Sequence, residues 1–151
     1  MKLDAIDRTI LKRLQENARL TNVQLAEQVG LSESACLRRV RSLEESGVIA
    51  RYVMLVNREA IGKSGNVFVQ VSLEGQQKDR LALFEQAVQN VPEVINCFLM
   101  SGDFDYLLRV VIRDNADYES IHNRLTNLPG VMRVQSSFAL RTVRDTTGIP
   151  L

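Results

Sequence analysis

Three arginines, Arg38, Arg39 and Arg41, follow Ser34 within one short stretch that reads as a helix. At about 100° per residue, Cys36, Val40 and Leu43 gather on one side of it. Ser34, Arg38 and Arg41 gather on the other side, with Arg39 at the flank. An arginine fork pairs bidentately with guanine or holds a phosphate, and the major groove of a duplex admits a helix. The chemistry this spacing offers is recognition of double-stranded DNA. Its ordinary alternative is a solvated helix face. Arg41 stands one turn before Glu45, but Arg38 has only Ser34 and Ser42 one turn to either side.

A second set of residues is Ser101-Gly102-Asp103-Phe104-Asp105-Tyr106. Gly102 permits a positive φ. Asp103 and Asp105, two apart on a strand, are expected to point to one side, where like charges are unfavourable unless something cationic answers them. The ammonium group of an amino acid would answer them, with loop N–H groups meeting its carboxylate. A plain hairpin turn uses the same residue types, and the residues alone leave both readings standing. The single histidine, His122, lies at the edge of a helix's apolar face without a nucleophile or metal-ligand cluster beside it. Neither catalysis nor a metal or cofactor is therefore expected. Cys36 and Cys97 are far apart, in apolar-periodic contexts, and too few for a disulfide framework, which fits a reducing cytoplasm.

The elements that must position these groups are legible upstream. Leu3, Ile6, Ile10 and Leu14 recur at helical spacing behind Asp4, a candidate N-cap. Thr21-x-x-Gln24 has the form of a capping box, and Leu20 with Leu25 supplies a hydrophobic staple for a helix over about 22–29. Gly30 stops that helix and Ser32 caps a third, which ends at Gly47. Ala26 is small enough to let the helices cross closely. Residues 1–47 thus read as a helix-turn-helix. Val48–Val56 is β-branched and reads as an extended strand, within a linker over 48–65 that is available to pair with a second copy.

The remaining chain repeats itself at a constant shift that carries Gly65 onto Gly102, Pro92 onto Pro129 and Val94 onto Val131. The same shift carries Leu81, Phe84, Val88 and Val91 onto Tyr118, Ile121, Leu125 and Leu128. Strands are predicted over Val67–Glu74, Val94–Ser101, Phe104–Arg113 and Val131–Arg141, giving β-α-β-β-α-β, the ferredoxin-like sandwich, over 66–141, with a tail over 142–151. The fold class is α+β. Ile95, Cys97 and Leu99 alternate with Val94, Phe98 and Met100, so both faces of that strand are apolar. A sheet covered on one side only alternates apolar with polar. The open face is therefore expected to be buried in a homodimer, whose two reading helices would reach successive major grooves about 34 Å apart.

The bulk numbers limit the alternatives. Net charge is +1, with 10 Lys/Arg against 8 Asp/Glu in residues 1–60, so any DNA-binding charge must be local. No apolar run approaches the ~20 residues of a membrane span, and the N-terminal residues lack a secretory h-region.

The pattern Leu3-Asp4-x-x-Asp7-x-x-Ile10-Leu11, Arg19-Leu20-Thr21-Asn22-x-x-Leu25-Ala26, Val29-Gly30-Leu31-Ser32 and Cys36-Leu37-x-Arg39-Val40-x-x-Leu43-Glu44-x-x-Gly47-x-Ile49 resembles the leucine-responsive/AsnC (feast–famine) transcriptional regulators. So do Ser101-Gly102-Asp103-Phe104-Asp105-Tyr106-Leu107-Leu108, Leu128-Pro129-Gly130-Val131 and Ser136-Ser137-Phe138. The resemblance covers nearly the whole chain. It departs at Glu33, where typical members carry proline.

The resemblance implies a winged helix-turn-helix joined to a ligand-sensing domain, dimers that often assemble into octamers, and a small effector, usually an amino acid. The residues expected to contact DNA are Thr21, Asn22, Ser32, Ser34, Arg38, Arg39 and Arg41. By position the resemblance assigns effector contact to Leu99, Gly102, Asp103, Asp105, Tyr106, Ser136 and Ser137. The alternative reading is an architectural protein that binds DNA without sensing a metabolite.

Overall fold

The computed structural model describes residues 2–151, which separate into two compact units, residues 2–55 with 144–151 and residues 56–143. The first unit holds α1 (Ala5–Glu16), α2 (Asn22–Val29) and α3 (Glu33–Glu45). Local hydrogen bonds define every start and stop. Asp4 accepts from the Asp7 N–H while Asp7 accepts from the Asp4 N–H, closing a box on α1. Thr21 and Gln24 do the same for α2, and Ser32 accepts from the Ala35 N–H to open α3. Gly30 takes the left-handed conformation, φ 68°, that a non-glycine residue pays for in strain, and reverses the chain between α2 and α3. Ile10, Leu11, Leu25, Ala26, Cys36 and Leu43 form the core, with Leu20 packed against it as the staple requires.

Two further ties fix the three helices. One guanidinium nitrogen of Arg39, Nη1, lies 2.8 Å from both Asp4 Oδ2 and Asp7 Oδ1, joining α3 to the cap of α1. Asn22 Nδ2 donates to the Glu33 carbonyl at 2.8 Å, bracing the turn. At the far end of the chain, Ile149 hydrogen-bonds through its N–H and carbonyl to the Gln15 carboxamide, at 2.6 and 3.1 Å, so the last residues lie along α1. The predicted strand over Val48–Val56 is absent: these residues pair with no strand among the described residues. Val53, Met54 and Leu55 stand 60%, 81% and 68% exposed.

The second unit is built from β1 (Gly65–Leu73), α4 (Lys78–Val88), β2 (Val94–Leu99), β3 (Tyr106–Ile112), α5 (Asn115–Thr126) and β4 (Val131–Phe138). The sheet order is β2-β3-β1-β4, and every pair is antiparallel. This is the β-α-β-β-α-β arrangement expected of the duplication. Val67, Val69, Val71 and Leu73 alternate inward along β1 and meet Tyr106, Leu108, Val110 and Ile112 of β3. The duplicated helix positions Leu81, Phe84, Val88 and Val91 share that core with Tyr118, Ile121, Leu125 and Leu128.

β2 departs from the simple alternation read in the sequence. A bulge between Val94 and Asn96 shifts its register, so that Val94 and Cys97, at odd spacing, both join the core. Ile95 and Phe98 are left 46% and 53% exposed. The open face of the sheet is mixed: Phe98 pairs with Leu107, which pairs in turn with Gln70, while Phe68 pairs with Arg109, and Ser72, Gln135 and Arg133 add further polar groups. β3 and β4 are shorter than predicted, and Phe104, Asp105 and residues 139–141 lie outside the ladder.

Phe84 is fully buried, and its ring packs 4.5 Å from that of Tyr106. Phe84→Ala should lower unfolding free energy by about 3–5 kcal/mol in urea titration, the cost of a large aromatic cavity.

Candidate nucleic-acid interface and effector loop

The three clustered arginines of α3 have different environments. Arg38 and Arg41 are exposed, and neither forms a hydrogen bond or ion pair among the described residues. Ser34 is exposed on the same side, its hydroxyl 3.3 Å from that of Ser32. These three side chains form an accessible, locally basic helix face. Arg39 is not part of it, because its guanidinium is engaged by Asp4 and Asp7. This corrects the reading of Arg39 as a flanking DNA contact: the paired carboxylates at the start of α1 neutralise it. The same pairing, after the Asp7 N–H, holds the Asp4 carboxyl below its ordinary value. Thr21 and Ser32 use their hydroxyls as caps and Asn22 braces the turn, so these residues build the motif whatever else they touch.

In the second unit, Gly102 has φ 122°, a conformation suited to glycine, at the tip of the connection between β2 and β3. The expectation that Asp103 and Asp105 point to one side fails. β3 begins only at Tyr106, and the two carboxylates face different surroundings. Asp103 is exposed and lines a cavity of about 340 Å³ with Gln70, Ser72, Phe104, Arg133 and Gln135. Asp105 is only 6% exposed, and its oxygens accept from the Leu73 N–H at 2.7 Å and from Gln76 Nε2 at 2.6 Å. Its own backbone bridges strands, donating to Val71 and accepting from Met100.

The other assigned residues are also split. Tyr106 is buried beneath the sheet, its hydroxyl donating to Glu85 Oε1 at 2.8 Å, and burial first, then Glu85, raises its pKa. Leu99, 57% exposed, sits opposite it at the end of β2. Ser136 and Ser137 cannot face one pocket from the same strand, because consecutive strand residues point oppositely. Ser136 hydrogen-bonds to the Tyr118 hydroxyl on the helix side, whereas Ser137 pairs with Phe68 in register. The loop therefore has two sides, an open one with Asp103 and a closed one with Asp105 and Tyr106, whereas Ser136 lies two strands away on β4 against Tyr118.

His122 meets the edge of the Tyr118 ring, and no group of three metal-binding side chains occurs among the described residues. Burial, aided by Glu85, pushes the Cys97 thiol up to about 11.

An accessible arginine face on a capped helix-turn-helix, followed by a βαββαβ domain, defines a winged-helix transcriptional regulator with a ligand-binding domain. The sequence profile of winged helix-turn-helix DNA-binding domains matches residues 3–50, and that of the Lrp/AsnC ligand binding domain matches residues 66–149. The chain belongs to the Lrp/AsnC family and is a DNA-binding transcriptional regulator. It is 45% identical over 151 residues, 99% of each chain, to the Bkd operon transcriptional regulator of Pseudomonas aeruginosa. It is 40% identical over 144 residues, 95% of this chain and 88% of the other, to the leucine-responsive regulatory protein of Escherichia coli. Among solved structures, a transcriptional regulator from Neisseria meningitidis in complex with L-Met matches with a TM-score of 0.94 at 39% identity, over 99% of this chain and 97% of that one. No helix among the described residues is long and apolar enough to cross a membrane.

Arg38→Ala and Arg41→Ala should each cost about 1–3 kcal/mol of binding to a cognate duplex while leaving thermal stability unchanged, measured by fluorescence anisotropy. Arg39→Ala should destabilise the first unit instead. Because Asp4 has a lowered pKa in the folded chain, its contribution is complete above its ordinary value of 3.8 and lost as pH falls through the lower folded value. Acid unfolding followed by circular dichroism should therefore be less steeply pH-dependent in Arg39→Ala than in the parent chain.

Proposed function

We propose that the chain is a sequence-specific regulator whose DNA binding responds to an amino-acid effector taken up at the Gly102–Tyr106 loop, and that it acts as a cytoplasmic homo-oligomer with no catalytic role. The observation that carries the DNA half is the unpaired pair Arg38 and Arg41 on the solvent side of α3. The effector half is supported by the two-sided loop, with an accessible carboxylate and a buried one beside a glycine that lets backbone N–H groups approach a ligand. It is supported too by the relatives, one named leucine-responsive and one solved with L-Met. Of the assigned effector residues, Leu99, Gly102, Asp103 and Asp105 border the loop. Tyr106 supports it from beneath through Glu85, and Ser136 stands apart from it on β4.

The exposed rings of Phe68 and Phe98, with Leu107 on the strand between them, support burial of the open face against a second copy, since exposed large apolar groups of this kind mark an association surface. The exposed segment Val53–Leu55 supports the same reading. Octameric assembly would follow from contacts between such dimers.

A thermal-shift panel of the common amino acids should raise the unfolding temperature with at least one of them. Stabilisation by none would refute the sensing half and leave an architectural DNA-binding protein. Sedimentation at micromolar concentration should give a dimer or a multiple of it, and a species of monomer mass alone would refute self-association.

A further inference from the structure

Asp105 presents an electrostatic anomaly. Its carboxylate is more than nine-tenths buried, yet both donors that reach it are neutral, the Leu73 N–H and the Gln76 carboxamide. No cation pairs with it among the described residues. A buried carboxylate is ordinarily answered by a cation, because neutral donors offset only part of the desolvation cost.

The two donors differ in how easily they leave. The Leu73 N–H belongs to the backbone at the end of β1 and cannot withdraw without fraying the sheet. Gln76 sits on an exposed connection ahead of α4, and α4 has no side-chain cap bond from Gln77 to hold that connection in place. Nothing in the fold requires the Gln76 carboxamide to be where it is, except Asp105. An ammonium group in its place would make a charge-assisted bond, shorter and about twice as strong as a neutral one.

We propose that Gln76 is a built-in competitor: its carboxamide holds the seat on Asp105 that the ammonium group of an amino acid takes on binding, and the ligand enters by displacing it. This rests on the reading of the Gly102–Tyr106 loop as the effector loop and adds a residue outside that loop. Displacement also gives binding a structural consequence. Gln76 is released from Asp105, just ahead of β3, so the connection from Glu74 to Gln77 loses its side-chain tie to the loop and keeps the backbone bond from Glu74 to Gly130. Selection follows as well: a carboxylic acid without an amino group has nothing to offer Asp105 that Gln76 does not already supply.

The test uses the full chain titrated calorimetrically with L-leucine, L-methionine and isocaproate, the last being leucine without its amino group. Gln76→Ala should bind the responsive amino acid about 10-fold more tightly, the worth of removing one competing bond to a charged group. Isocaproate should not compete. In the parent chain, saturation with that amino acid should move the Gln76 side-chain amide resonances to their free-solution positions, a change that isocaproate should not produce. Asp105→Asn should abolish binding, and the resonance measurement decides the matter if that variant does not fold. Binding by the parent chain with unchanged or weakened affinity in Gln76→Ala would overturn the exchange while leaving the effector loop intact. Binding of neither amino acid by either chain would overturn the effector reading for these ligands and the exchange with it.

Discussion

The bridge from Arg39 to Asp4 and Asp7 ties α3 to the start of α1 at the flank between its buried and its solvent side. Its guanidinium closes against two carboxylates already fixed by their own capping box, so α3 is held in rotation as well as in position. Cys36 and Leu43, fully buried on the apolar side, set which side of α3 turns inward, and the ion pair holds its flank in register. Neighbouring arginines therefore reach opposite fates: one is consumed in holding the helix, and the two on the far side are left without partners to meet a polyanion.

The second unit works by a similar division of labour. Alternation along β1 sends its valines into one continuous core with both helices, and the opposite face is left half apolar and half polar. Asp105 ties the loop beyond β2 to the end of β1, placing a polar junction where three segments converge. Tyr106, next in sequence, turns under the sheet to reach Glu85 on α4. Any ligand that disturbs this junction acts at once on strand, loop and helix, which gives the sensing domain a mechanical basis confined to a few residues.

Much of this was legible in the sequence because it is local. Capping boxes, a left-handed glycine and a duplicated apolar pattern each operate within a few residues, and all reappear in the structure. What was not legible depends on pairing across sequence distance. The partners of Arg39 are more than thirty positions away, and arginine content alone cannot separate a helix tie from a DNA contact. Asp7 offered one clue, since Asp4-x-x-Asp7 has capping spacing and leaves a spare carboxylate oxygen. The bulge in β2 reversed the expected facing of Val94 relative to Cys97, and no residue there announces it. Gln76 and Glu85 had no signal at all, being ordinary polar residues in a loop and on a helix. Extended residues over Val48–Val56 have the composition of a strand, yet hydrogen bonding requires a neighbour that this chain by itself does not supply.

The carboxamide of Gln15 grips Ile149 as one strand would grip another, and residues 144–151 thereby join the three helices in one compact unit. The boundary between units is crossed twice, once on the way out and once on the way back. A fragment cut after residue 55 thus omits a piece of its own domain and leaves the Gln15 side chain without its companion. A bulky group attached beside Ile149 would burden the reading head, not the sensing domain that precedes it in sequence.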